Sequence, residues 1–231
     1  MIAPVLAAGA AGAAVAICAH GAYYRNSPVF GRVLGRLPTT EKHVALTFDD
    51  GPNPVATPRI LDVLQTESVK ATFFLLGRHV ERWPDLAHRV AAEGHAVGNH
   101  GYHHRKLHFR GPGYVRLDLI LGSDAIENAA GRKPALFRAP HGFRSPWVTS
   151  IARELGQRTV GWTLGVWDSD RPGADVIVRR AVDGTRPGTI MLLHDGDGYD
   201  EAGDRTQTAE ALPQIIRELR DRGYRFVGLA V

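Results

Sequence analysis

The chain has 231 residues, 44% of them hydrophobic and 23% charged, and a formal net charge of +4. That length suits one domain with a sizeable core, and the composition excludes a disordered or collagen-like chain. The basic excess is mild, with no Lys/Arg run long enough for a nucleic-acid stripe, and the single cysteine, Cys18, excludes an intrachain disulfide framework or a thiolate zinc site, so any metal must be held by His and carboxylate.

No Asp, Glu, Lys or Arg occurs from Met1 to Tyr24, and Ile2 to Ala19 is rich in Ala, Gly, Val and Leu. A bilayer-crossing helix needs roughly 20 apolar residues, which this stretch matches in length. It lacks the basic leading region of a signal peptide. An Ala-rich helix packed on the domain is the alternative; an export or anchor segment is the reading favoured here. Residues 1–38 are therefore expected to be an apolar export or anchor segment and linker, with residues 2–22 able to anchor in a membrane. Residues 39–231 are expected to form the main domain, exported or facing outside the cytoplasm and acting as a monomer.

Val44 to Phe48 predicts a buried strand that ends at Asp49-Asp50-Gly51-Pro52. Thr57 and Pro58 predict a helix start, with Ile60, Leu61 and Leu64 on its apolar face. Ala71 to Leu76 is a second strand. Helix follows to Glu93, its main part opened by Pro84 and closed by Gly94. His95 to Asn99 is a third strand, delivering His100. Tyr114 to Ala129 is helical, Leu136 and Phe137 lead into Arg138, and Ser145-Pro146 opens a helix that Gly156 stops. Thr159 to Leu164 is expected as a strand and Val176 to Val182 as a helix. Thr189 to Leu193 is a strongly apolar strand that delivers His194. The loop from Asp195 to Arg205 carries Asp-Gly-Asp-Gly, but a calcium loop is incomplete there and a solvated loop is expected. Thr208 to Arg222 is an amphipathic helix interrupted by Pro213, and Tyr224 to Leu229 is a last strand.

Strands alternating with helices imply a parallel sheet, open or closed, which gathers functional residues at the carboxyl ends of its strands. Asp49, Asp50, His100, Arg138, Asp168 and His194 all fall there. His100 and His104, four apart, would share one helical face and one ion. A carboxylate from Asp49 or Asp50 completes a His-His-carboxylate set with open positions, which suits catalytic zinc or a similar divalent ion. His103 offers a competing pair with His100. Of two adjacent aspartates, one can ligate while the other takes a proton from water. His194 can protonate a departing amine, and Arg138 can fix a catalytic carboxylate.

These motifs resemble the polysaccharide deacetylases of carbohydrate esterase family 4, the NodB-homology domain, from about residue 42 to the C-terminus. Thr47-Phe48-Asp49-Asp50-Gly51-Pro52 matches the first motif completely, and His100 with His104 matches the second. Arg138-Ala139-Pro140-His141-Gly142 matches the third and Leu192-Leu193-His194-Asp195 the fifth. The resemblance implies an α/β fold, an irregular (β/α) barrel of about seven parallel strands. It implies hydrolytic N-deacetylation of N-acetylglucosamine in a glycan, peptidoglycan or chitin-like oligomers, with no nucleic-acid partner. Asp49 would be the general base and Asp50, His100 and His104 the ligands of one divalent ion, zinc first, with cobalt, nickel or manganese as alternatives. Arg138 would pair with the base, and His194 would be the acid, oriented by Asp168. The His141 N–H would stabilise the oxyanion, with Pro140 and Gly142 shaping that turn, and Leu192 would line the acetyl-methyl pocket. The chain departs from the family at Gly101, where Ser or Thr is usual, at His103, at His141, where Tyr or Phe is usual, and at Ser169, where Trp usually follows the Asp. Trp167 could take over that substrate contact. A non-catalytic carbohydrate-binding protein on the same fold, or a hydrolase of another non-peptide amide, is the alternative.

Overall fold

The computed structural model describes residues 2–229, with side chains from residue 11 onwards. Helix α1 (Ile2–Tyr23) comes first, and its residues 11–20 are exposed. Among the described residues no helix is long and apolar enough to cross a membrane. The stretch expected as a linker is bound along the body. Asn26 Nδ2 and Arg25 Nε both donate to the Trp162 carbonyl, at 2.9 and 3.0 Å. The buried Arg144 guanidinium donates to the carbonyl of Ser27 at 2.9 Å. Leu34 forms a parallel bridge with Val160, and the Leu37 N–H donates to the Gly188 carbonyl at 2.9 Å.

The body then alternates β1 (His43–Asp49), α2 (Ala56–Thr66), β2 (Thr72–Leu75), α3 (Gly77–Arg82), α4 (Pro84–Ala92), β3 (Ala96–Asn99), α5 (Pro112–Ala130), β4 (Leu136–Phe137), α6 (Pro146–Glu154), β5 (Arg158–Thr159), β6 (Leu164–Gly165), α7 (Ala174–Gly184), β7 (Thr189–His194), α8 (Thr206–Asp221) and β8 (Arg225–Phe226). Every pairing is parallel, in the order β5-β4-β3-β2-β1-β7-β6, with β8 beside the start of β1. This is the irregular (β/α) barrel, left unclosed by hydrogen bonds between β5 and β6. Residues 160–163 join those two ends, with Arg25, Asn26 and Leu34 bound along them.

The period-two alternation of β1 explains what the barrel encloses. Val44, Leu46 and Phe48 face the helices in the main core with Ile60, Leu61, Leu64, Leu212 and Ile215. Ala45 faces the opposite side, in a cluster with Phe74, Leu136, Val160 and Ile190, against which Leu34 and Leu37 of the N-terminal stretch pack. Thr47 and Asp49 share that inner face, so the strand's own pleat turns the Asp49 carboxylate into the barrel.

Four expectations are corrected. Thr57 does not cap α2: Asn53 Oδ1 accepts the N–H groups of Val55 and Ala56, while the Thr57 hydroxyl is drawn to Asp195, at 2.6 Å. The run from Thr159 to Leu164 is not one strand. It bends because Arg138 takes the Gly161 carbonyl and Arg25 and Asn26 take that of Trp162. Pro213 does not interrupt α8. A proline inside a helix costs about 3 kcal/mol, whereas Leu212, Ile215, Ile216 and Leu219 are all fully buried at about 1.5–3 kcal/mol each, so packing wins. The last strand is two residues long, although the Val227 N–H still reaches the Val44 carbonyl.

Candidate active site

The carboxyl ends of β1, β3 and β7 deliver Asp49 and Asp50, His100 and His194 to one cleft of about 740 Å³, and the end of β4 places Arg138 buried behind Asp49. His100 enters it neatly aligned: its N–H donates to the Leu75 carbonyl, and its Nδ1 lies 2.8 Å from the Arg138 carbonyl oxygen. That contact makes Nδ1 the donor and leaves the Nε2 lone pair facing Asp50, 3.3 Å from Oδ1. His104 Nε2 lies 3.2 Å from the same oxygen. One ligating atom from each of Asp50, His100 and His104 falls within 4.8 Å of the others, and all three residues are buried.

This trio fits a divalent ion. Asp50 Oδ1 is buried and accepts no hydrogen bond, although two imidazole nitrogens approach it. Such an oxygen is costly unless a cation completes it. Burial, against the pull of Asp50, lowers the pKa of His104 to about 3, so its ring is neutral and able to ligate. Burial disfavours the Asp50 carboxylate, but His104 and His100 outweigh it and hold its pKa well below the usual carboxylate range.

The two histidines do not meet on a helical face, as their spacing suggested. Residues 100–104 form a turn in which Gly101 and His104 take positive φ, +80° and +56°. The His103 alternative is excluded by its partner: Nδ1 lies 2.7 Å from Asp118 Oδ1, away from the ion site. Asp118, on α5 and 2% exposed, also accepts the N–H groups of Tyr102 and His103. A Cβ at Gly101 would stand 2.6 Å from its Oδ2. The departure from Ser or Thr at this position is thus matched by a carboxylate occupying the space, which pins the metal-site turn from outside. Asp118→Ala should weaken divalent-ion binding about 10–100-fold, read by chelator competition, without moving the pH dependence of turnover. Unchanged affinity in a folded variant would remove Asp118 from this role.

Asp49 Oδ1 accepts from Arg138 Nη1 at 2.6 Å, and its Oδ2 is 3.8 Å from His100 Nε2. Arg138 is fully buried, also donates to Thr47 Oγ1 and the Gly161 carbonyl, and lies 4.2 Å over the Phe74 ring. Beside Asp49, on the neighbouring strand β7, His194 Nδ1 lies 2.8 Å from Asp168 Oδ1, while the His194 backbone N–H and the Thr208 hydroxyl donate to Asp168 Oδ2. Burial opposes a charged His194, but Asp168 prevails and raises its pKa to about 9. The ring therefore carries a proton at neutral pH.

Pro140, His141 and Gly142 form a short helical turn after β4, with His141 at φ +60° and its ring 4.6 Å from that of His104. Leu192, on β7, and Trp167, 66% exposed at the mouth, both line the cleft. Sequence reasoning missed several wall residues. Tyr199 comes from the loop expected to be solvated, and its hydroxyl lies 3.0 Å from His141 Nε2. That loop folds inward: Gly198 lies so close to His104 that a Cβ there would be 2.0 Å from Nδ1, and Arg205 pairs with Asp197 at 2.8 Å. Asp195 is fully buried; burial, reinforced by Asp50 and Asp49, raises its pKa to about 7. Tyr23 and Arg25, from before the expected domain boundary, also line the cleft. Only the aromatic and charged residues scattered through these segments hinted at them.

A buried cation cradle beside an arginine-held carboxylate and a charged imidazole suits the addition of water to a carbonyl, the chemistry of a hydrolase. The polysaccharide deacetylase family model matches residues 36–160. The chain is 39% identical over 202 residues to a peptidoglycan-N-acetylglucosamine deacetylase of Bacillus cereus, spanning 85% of this chain and 91% of that one. A chitooligosaccharide deacetylase of Sinorhizobium fredii is 40% identical over 199 residues, 84% of this chain and 93% of its own. The crystal structure of the Bc1960 peptidoglycan N-acetylglucosamine deacetylase superposes with a TM-score of 0.81 at 36% identity, covering 85% and 90% of the two chains. The chain belongs to the polysaccharide deacetylase family.

Proposed function

We infer that this chain hydrolyses the N-acetyl amide of N-acetylglucosamine residues in a glycan, releasing acetate and leaving a free amine. The observation that carries the reading is that the paired strands β1 and β7 bring an Asp49 carboxylate held by Arg138 and a His194 held by Asp168 side by side at the Asp50-His100-His104 cradle. Asp50, His100 and His104 would hold one divalent ion, zinc on the chemistry of the donor set, which when bound polarises the acetyl carbonyl and eases ionisation of water. Asp49 takes the proton from the attacking water, and Arg138 keeps its carboxylate aimed. The His141 N–H donates to the oxyanion as the carbonyl becomes tetrahedral. His194 gives its Nε2 proton to the nitrogen as the C–N bond breaks. Leu192 meets the acetyl methyl, Pro140 and Gly142 shape the oxyanion turn, and Trp167 offers a ring to a sugar face. Similarity to peptidoglycan and chitooligosaccharide deacetylases supports a polymeric or oligomeric substrate. Export or anchoring through residues 1–38 would bring the enzyme to a wall glycan.

The test is acetate release by the full chain, stripped of metal and resupplied with zinc, from N-acetylglucosamine oligomers and from peptidoglycan. Metal-dependent acetate from either is expected. A folded, zinc-loaded protein that releases none would sink the reading.

A further inference from the structure

Beyond His104 and Tyr199 the cleft adjoins a second depression, of about 400 Å³, bordered by Arg105, Lys106, Phe109 and Arg110. All four are exposed. Among the described residues, none of the three cations has a carboxylate oxygen within 4.0 Å, so their charge is not neutralised by a neighbouring acid. Asp197, which lines the adjoining cleft, is committed elsewhere: it pairs with Arg205 and accepts the N–H groups of Tyr199 and Asp200. The bordering segment is anchored. Leu107 is fully buried, Trp147 Nε1 donates to the Arg110 carbonyl at 2.7 Å, and the Arg110 guanidinium lies 5.1 Å over the Tyr114 ring.

Three like charges within six residues repel one another, and a concave surface concentrates their field on whatever enters. Phe109, 70% exposed, and Tyr199, 65% exposed, add two ring faces of the kind a sugar covers. His104 and Tyr199 border both depressions, so a glycan held with its acetamide at the metal site reaches the cations with a neighbouring substituent.

We propose that Arg105, Lys106 and Arg110 form an anion subsite for a carboxylate-bearing substituent of the glycan, so that the enzyme favours carboxylated N-acetylated strands over neutral ones. This rests on the deacetylase reading. The subsite would supply a preference that the metal site, which meets the same acetamide in either polymer, does not provide.

The test compares zinc-loaded wild type with the triple variant Arg105→Gln, Lys106→Gln, Arg110→Gln. Equilibrium binding is measured on soluble peptidoglycan fragments and on the same fragments with their carboxyls amidated, and acetate release is followed in parallel. Wild type is expected to bind the carboxylated fragments about tenfold more tightly at low salt, a preference that fades as salt rises and is absent in the triple variant. Fragments stripped of their peptides by an amidase keep only lactyl carboxylates. Preference that survives stripping assigns the subsite to those groups, and preference lost on stripping assigns it to peptide carboxylates. Equal binding of carboxylated and amidated fragments by wild type, or an undiminished preference in the triple variant, overturns the subsite. Charge-selective binding with no acetate from any fragment upholds the subsite and overturns the deacetylase reading instead.

Discussion

Asp49→Asn is expected to lower kcat by about 10²–10⁴-fold with zinc still bound, while Asp50→Asn is expected to lose the metal and, with it, turnover. The two adjacent carboxylates sit in different company. Asp50 Oδ1 faces both histidine nitrogens and accepts no hydrogen bond. Asp49 Oδ1 is taken by Arg138, and its other oxygen stands 3.8 Å from His100. An amide at position 49 can still accept from Arg138 but cannot take a proton from water. It also leaves a fully buried guanidinium without its counter-charge, which costs up to about 3–5 kcal/mol, so the denaturation midpoint should fall as well. Zinc stoichiometry and single-turnover acetate release on the folded variants decide the matter. Metal lost from the position-49 variant and retained by the position-50 variant would reverse the assignment.

Turnover in the wild type should hold through neutral pH and fall as pH rises through about 9, where His194 gives up its proton. Asp168→Asn removes the carboxylate that holds this proton. Burial then meets only the weaker pull of Asp50 and Asp49, and the alkaline limb should move down from about 9, with kcat above neutral pH falling correspondingly. The same pair makes a stability statement. Because the folded pKa lies above the unfolded one, the contribution is complete below 6.5 and is lost as pH climbs through about 9. Denaturant midpoints taken on either side of that window should show the fall in wild type and not in Asp168→Asn. A pH profile unaffected by the substitution would exclude His194 as the acid.

The strand-and-helix order was legible because apolar runs of period two and 3.6 alternate cleanly and Gly94 and Gly156 mark helix ends. So was the convergence of Asp50, His100 and His104, since strand ends gather chemistry on one edge of a parallel sheet. The means of convergence was not legible: i and i+4 suggest a helix, and nothing in the letters reveals a turn built on positive φ at Gly101 and His104 and pinned by Asp118, many residues downstream. Residues 199–202 are exposed, as a solvated loop should be, but the inward fold of residues 195–198 was hidden for a similar reason. Asp-Gly-rich sequence reads as solvated, and the burial of Asp195 depends on Thr57, far away in the chain. The attachment of residues 25–37 to the body was masked by the apolar segment before them, although their partners, Trp162, Val160 and Gly188, lie where the barrel most needs support.

That unclosed seam gives the enzyme a mechanical property. A fully laddered barrel has its girth set by strand number and stagger. Here the girth is set by a few clasps across residues 160–163, and Arg138 is one of them, gripping the Gly161 carbonyl with one nitrogen and Asp49 with another. One guanidinium thus closes the seam and holds the Asp49 carboxylate, so the barrel's girth and the bearing of that carboxylate are fixed by the same side chain.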